Sequence, residues 1–284
     1  MTSQDAAAGT PRSDPPERAA EPAAEPPSFD TTIPHSARMY DYWLGGKDNY
    51  EADRKAAEQV IAGQPSVLAA VRANRAFLRR AVQYLAGEAG IRQFLDVGTG
   101  LPTNENTHQI AQQIAPQARI VYVDNDPIVL AHARALLTTD PAGATAYLQA
   151  DARDPEKILR DAARTLDFSQ PVAVMMLGLL HFIQDADEPE QIVSRLMGGV
   201  VAGSFLALSE ATRDIDTEHI TQSAARFNSQ RVAAQFTPRT HAQIGLYFAG
   251  MELIEPGLVP LTQWRAQPDD GRPIPAYAAI ARKP

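Results

Sequence analysis

The sequence predicts an α/β fold built on a mostly parallel sheet with a ligand along one edge, and three observations carry that reading. Phe94 to Pro102 reads Phe-Leu-Asp-Val-Gly-Thr-Gly-Leu-Pro, a short apolar strand running straight into a glycine turn. Val172 to Leu180 is almost unbroken apolar sequence, the pattern of a strand buried on both faces of a parallel sheet. Three consecutive predicted strands end in a glycine turn or an aspartate, at Gly98 to Gly100, at Asp124 and at Asp151. In open α/β sheets the carboxyl ends of the strands are where ligands sit.

Taken in order, residues 1–30 are rich in Ala, Pro, Glu, Ser and Asp and cannot bury enough apolar surface to offset the entropy of ordering them, so a disordered tail is expected. Residues 31–90 read as a helical segment preceding the core. Within it, Pro34 to Tyr50 crowds His35, Tyr40, Tyr42, Trp43 and Tyr50 around Gly45 and Gly46. Two readings stand: a helix packed by its aromatic face and ended by Gly45, or a lid whose rings shield a ligand while Arg38, Lys47 and Asn49 reach its polar groups. From Ser66, Val67, Val71, Phe77, Leu78, Val82 and Leu85 follow helical spacing, with Arg72, Arg75, Arg79 and Arg80 as a solvated face and Asn74 and Arg75 able to turn toward the ligand end.

The core, 91–284, begins with the strand before the glycine turn. Arg119 to Val123 is a second strand, ending in Asp124, close to the roughly 20-residue spacing at which an acid meets ribose hydroxyls in nucleoside-binding sheets. Asp126 and Pro127 read as N-cap and first residue of a helix continuing through Val129, Leu130, Ala133 and Leu136. Ala146 to Ala150 is a third strand; Asp154 caps the next helix, which leaves Asp151 available to a ligand. His181 follows the apolar strand. A helix from Glu188 to Met197, a strand from Ser204 to Ser209, a helical stretch from Thr217 to Phe236 and a helix after the Thr237 to Thr240 turn come next. Met251 to Ile254 and Ala276 to Ile280 read as terminal strands, and the loop between them, holding Trp264, as a surface excursion.

Composition narrows the function. A net charge of -8 argues against a general nucleic-acid binder, and the absence of cysteine excludes disulfides, thiolate zinc sites and a cysteine nucleophile. The histidines show no metal-binding spacing, so no metal is expected. No apolar run approaches the about 20 residues of a membrane span, and no export signal is visible, so a soluble, cytoplasmic protein is expected.

The glycine turn itself discriminates between cofactors. A dinucleotide turn wants a third glycine where Thr103 stands, and Asp96 would repel a pyrophosphate while accepting hydrogen bonds from an ammonium. Gly98, Thr99 and Gly100 supply the backbone that approaches the ligand.

The stretches Pro34 to Tyr50 and Gln93 to Thr103 together resemble the actinobacterial S-adenosyl methyltransferase group, once catalogued as a domain of unknown function, within the class I S-adenosylmethionine-dependent methyltransferases. The resemblance spans residues 33–283 and implies a Rossmann-like class I methyltransferase fold: a seven-stranded, mostly parallel sheet with an antiparallel final hairpin. It implies S-adenosyl-L-methionine as cofactor, with Asp96 and Gly98 to Gly100 facing the methionine part and Asp124 holding the ribose hydroxyls. Asn125 would line the adenine side, Asp151 and the Ala152 amide would read the adenine edge, and Leu177 to His181 would pass beneath the sulfonium. It also shifts the aromatic segment, Arg38 included, toward the lid reading.

Methyl transfer is an in-line displacement at an activated carbon, so the protein must align the acceptor and exclude water, and a base is needed only where the acceptor loses a proton. His181 is the first candidate base, followed by Tyr42 and Tyr40. The expected activity is methylation of a small molecule. The alternatives are a nicotinamide-dependent oxidoreductase and a non-catalytic regulator that binds the same cofactor. Sequence leaves the acceptor and the oligomeric state open.

Overall fold

The computed structural model describes residues 30–102, 105–129, 140–230, 232–266 and 274–284. The expected tail up to residue 29, Thr103, and the helix positions Leu130, Ala133 and Leu136 lie outside the described residues.

The sheet is the expected one. Strands β1 (Gln93–Val97), β2 (Arg119–Asp124), β3 (Ala144–Gln149), β4 (Ala173–Leu177) and β5 (Phe205–Ala211) run parallel, while β8 (Ala276–Arg282) is antiparallel to β5. The spatial order is β3-β2-β1-β4-β5-β8-β6, with the short β6 (Glu252–Leu253) closing an antiparallel hairpin on β8. An eighth strand, β7 (Val259–Pro260), also pairs with β8 and was not foreseen, being two residues long. Chain order reverses between β1 and β4, which neighbour each other although β2 and β3 intervene in sequence, so their carboxyl ends open a crevice at that switch point.

Alternation along the strands supplies both faces. Leu95, Val97, Val121, Val123, Val174, Met176, Leu206 and Leu208 pack beneath α5 (Pro155–Ala162) and α6 (Pro189–Gly198). Phe94, Ile120, Tyr122, Ala173, Met175, Phe205 and Ala207 pack on the opposite face against α3 (Val67–Gln83) and α4 (Thr107–Ile114). Helix α3 carries the predicted apolar spacing, and a π-helical turn, Tyr84–Glu88, extends it.

Helices α1 (Ser36–Trp43) and α2 (Glu51–Gly63) form a third cluster, in which Met39, Ala56, Ala57 and Val60 meet Phe227 of α7 (Thr217–Asn228). Gly45 takes φ +82°, the left-handed conformation that ends a helix. Asp41, buried in the last turns of α1, accepts from Asp48 N at 3.0 Å and Asn49 Nδ2 at 2.8 Å, and a side chain at Gly46 would collide with its carboxylate. The Gly-Gly-Lys-Asp-Asn turn is thus wrapped around one aspartate.

Three expectations change. The long apolar run yields a strand only to Leu177, because Gly178 adopts φ +70° and turns the chain into a single 3-10 turn, Leu180–Phe182. Helix α7 stops at Asn228, whose side chain brackets the Phe236 backbone, N donating at 2.7 Å and O accepting at 2.9 Å, so Val232 and Phe236 sit on a loop. Trp264 is no surface residue. It is 0% exposed, edge-on to Phe77 at 5.4 Å and Tyr84 at 5.9 Å, and its loop is held by Arg80, which donates to the carbonyls of Trp264 and Leu261. A lone aromatic among prolines and acids gave no periodicity from which burial could be read.

Removing that indole leaves a cavity between α3 and the sheet. Trp264→Ala should lower the unfolding free energy by roughly 3–5 kcal/mol in denaturant titration.

Candidate active site

The crevice at the switch point is lined by the ends of four strands. Gly98 follows β1 at φ +74° and Gly100 at φ +67°, both reachable without strain by glycine alone. A Cβ on Gly98 would strike Leu179 at 2.6 Å, whereas one on Gly100 would meet open space. The close approach that demands glycine at 98 is therefore to the protein itself. Gly98 N donates to Val123 O at 2.8 Å and Gly100 N to Asp124 Oδ2 at 2.8 Å, so the turn is stitched to the end of β2.

Asp96, Gly98, Thr99, Gly100, Asp124, Asn125, Asp151, Ala152 and Leu177 all border this one crevice. Helix α3 adds Asn74 and Arg75, and the start of α1 adds His35, Ser36, Ala37 and Tyr40 as a roof. The roof is anchored below: Asp126 Oδ2 lies 3.3 Å from His35 Nδ1 and 3.4 Å from Arg38 Nε.

The electrostatics are acidic. Burial pushes the Asp96 carboxyl up to about 6, opposed by the Thr107 hydroxyl that donates to it at 2.6 Å and by Arg75, with Asp124 adding a further push upward. Asp124 is raised too, burial again leading, although the Asp126 and Gly100 amides stabilise its charge. Asp151 is lowered by Arg153, which donates to it from Nε at 2.9 Å and Nη2 at 2.7 Å. Two buried acids and one half-buried, clamped acid along one crevice suit a cation and repel a pyrophosphate.

The candidate bases and Arg38 fare differently. Arg38 does not line the crevice; its guanidinium is buried, donating to Ile33 O at 3.0 Å and paired with Asp53 and Asp126, so it ties α1 to α2 and to the chain beyond β2. Asn49 bonds within the Gly45 turn, to Asp41 and to Gly46 O, and neither it nor the exposed Lys47 borders the crevice. Tyr42 points away, donating to Glu58 Oε1 at 3.0 Å. Tyr40 does border the crevice, but its hydroxyl donates to Val71 O at 3.1 Å and accepts from Asn74, and burial raises it above the usual phenol range. It cannot serve as a base while so engaged. His181 borders a second, adjoining pocket.

Sequence reasoning missed Arg239 and Glu210. Arg239, 1% exposed, donates to Leu180 O at 2.8 Å, Ile183 O at 2.6 Å, Glu210 Oε1 at 3.0 Å and Asp185 Oδ1 at 2.9 Å. It fixes the turn that carries His181, and nothing in its turn-like sequence setting signalled that.

Comparison with known proteins follows from this geometry. A family model described as S-adenosyl methyltransferase matches residues 22–284. The chain belongs to the S-adenosyl methyltransferase family. A DUF574 family protein from Streptomyces avermitilis shares 44% identity and superposes with a TM-score of 0.86, over 90% of this chain and 99% of that one. A protein from Thermobifida fusca shares 41% identity at a TM-score of 0.81, over 89% of this chain and 96% of that one. An O-methyltransferase family protein from Burkholderia thailandensis, 14% identical, matches at a TM-score of 0.50, over 89% of this chain and 64% of that one, and shares the fold. No protein of curated function matches the sequence.

The methyltransferase is thus an enzyme of class I fold that uses S-adenosyl-L-methionine, and the nicotinamide and regulator readings give way. The crevice fits that cofactor: its acids complement an ammonium and its open glycine turn leaves room along the strand ends. No helix among the described residues is long and apolar enough to cross a membrane.

Because folding raises Asp96 from 3.8 to about 6, the folded state binds its proton more tightly than the unfolded chain. The resulting stability is complete below pH 4 and lost as pH rises through 6, about 3 kcal/mol for a shift of this size. Asp96→Asn should remove that part of the pH dependence, measured as unfolding free energy at pH 4 and pH 7 beside the native protein.

Proposed function

We propose that the methyltransferase holds S-adenosylmethionine in the strand-end crevice and methylates a small, largely apolar molecule bound in the pocket beside it. The observation carrying this reading is that the two cavities share a wall: Ser36, Tyr40, Asn74, Gly178 and Phe182 border both. At that seam Ser209 Oγ donates to Asn74 Oδ1 at 2.6 Å and Asn74 Nδ2 donates to Tyr40 at 3.2 Å, a chain that holds the divider in place.

In this reading Asp96 faces the cofactor's ammonium, Asp124 the ribose hydroxyls, and Asn125, Asp151 and the Ala152 amide the adenine. The roles of Gly98, Thr99 and Gly100 are to bring backbone close to the methionine part. The bound cofactor supplies a methyl group on positively charged sulfur. The chain's own work is alignment and exclusion of water: α1 roofs the crevice, and Trp43, Val60, Val67, Ile220, Phe227 and Phe236 wall the second pocket. Helices α1 and α2 serve as the lid. A cytoplasmic setting goes with this reading, since the cysteine-free chain needs no oxidising compartment.

Calorimetric titration tests it. S-adenosylmethionine and S-adenosylhomocysteine should bind at micromolar concentration, Asp124→Ala should weaken both at least tenfold, and NAD should not bind. Affinity for S-adenosylmethionine should also fall as pH drops below 6, where Asp96 becomes neutral, and that slope should vanish in Asp96→Asn; NAD binding alone would overturn the assignment.

A further inference from the structure

The pocket beside the crevice contains an unsolved hydrogen-bonding problem. Glu210, in β5, is 1% exposed. Its Oε1 accepts from Arg239, but its Oε2 is buried, accepts no hydrogen bond, and lies 3.6 Å from His181 Nδ1. The same nitrogen accepts from the Ala211 amide at 3.3 Å. Nδ1 cannot both accept from Ala211 and donate to Glu210. At 3.6 Å the carboxylate stands just beyond hydrogen-bond reach, but a small shift of the ring that trades the Ala211 amide for a charge-assisted bond to this donorless buried oxygen would place the proton on Nδ1. That tautomer leaves the lone pair on Nε2.

The ring lies beside the wall that divides the two cavities. A Cβ built on Gly178 would lie 3.8 Å from His181 Cε1, and Gly178 is part of the seam between the two cavities. Around the ring the walls are aromatic: Phe182 at 4.5 Å and Phe236 at 5.2 Å between centroids, with Phe227 behind them. Among the described residues lining this pocket there is no lysine or arginine, and its one acid, Glu210, is bound to Arg239, which also holds Asp185. Such a pocket offers nothing to a phosphate or carboxylate. An apolar body carrying one weakly acidic hydroxyl fits it.

We propose that His181 is the proton acceptor for an aromatic hydroxyl, and that Glu210 is the positioning residue that holds the histidine in its Nδ1–H tautomer. This deepens the function proposed above and rests on it. The acceptor oxygen forms its new bond to the methyl carbon with a lone pair, and the O–H proton passes to His181 Nε2. The electron pair of the broken carbon–sulfur bond stays on sulfur, which becomes neutral, and the imidazolium is balanced by Glu210. Amines, whose neutral form attacks before losing a proton, need no such pair.

Nitrogen-15 NMR of histidine-labelled protein without cofactor reads the tautomer directly, the His181 signal being assigned with His181→Asn. Neutral His181 should carry its proton on Nδ1, and Glu210→Gln, which keeps the oxygen that Arg239 needs, should move it to Nε2. A proton on Nε2 in the native protein would overturn the pairing whatever the variant does. In parallel, with S-adenosylhomocysteine present, 2-naphthol should bind about tenfold tighter than 2-methoxynaphthalene, and Glu210→Gln should erase the difference. Equal affinity, or no binding of 2-naphthol, would sink the acceptor class. Failure of S-adenosylhomocysteine itself to bind would instead overturn the underlying site assignment, and the tautomer measurement stays independent of that result.

Discussion

The buried carboxylate of Asp124 is the constraint on which the site depends. One oxygen accepts from Gly100 N and the other from Asp126 N, at 2.8 and 2.9 Å, so a single side chain at the end of β2 fixes the glycine turn after β1 and the start of the chain beyond β2. Asp126 in turn faces His35 and Arg38, and Arg38 faces Asp53, whose carboxylate accepts from His35 N and Tyr50 N at 2.9 Å each. The crevice and the α1–α2 segment are therefore joined by one network of hydrogen bonds and ion pairs. A ligand that touches Asp124 acts on the same group that positions the roof above it.

That economy has an electrostatic cost. Placing Asp96 and Asp124 in the same buried crevice raises both toward neutrality, with Thr107, Arg75 and two backbone amides only partly offsetting burial. A cationic ligand relieves the strain that an anionic one would worsen. The two buried acids thus weigh against a pyrophosphate by charge, beside the absence of a third glycine at Thr103.

A second network governs the adjoining pocket. Arg239 clamps the turn from Leu180 to Asp185 to the end of β5, and Thr237 N donates to His181 O at 2.7 Å, so the histidine is held by backbone on one side and by Glu210 on the other. The phenylalanines of the pocket come from three places, Phe182 on that turn, Phe227 on α7 and Phe236 on the loop after it, and meet at centroid distances of 6.0 to 6.2 Å. The second pocket is assembled from segments far apart in sequence, whereas the crevice follows strand by strand.

This difference explains what could be read without coordinates. The parallel sheet, the strand ends at Gly98 to Gly100, Asp124 and Asp151, and the cation-compatible chemistry of Asp96 were determined by the sequence alone, because each depends on local patterning: apolar runs, the turn residues that end them, and the acids that follow. The two-residue strand β7, the burial of Trp264 and the roles of Arg38, Tyr42, Arg239 and Glu210 were decided only by tertiary structure. Arg38 and Tyr42 carry the same charge and hydroxyl wherever they point, and the distant partners Asp126 and Glu58 turned them away from the ligand. Glu210 at a strand end looks like any solvated acid until Arg239 and His181 arrive from 29 residues either side of it in the chain. Long-range pairing of polar groups leaves no periodicity in a sequence, and burial alone converts such a pairing into chemistry.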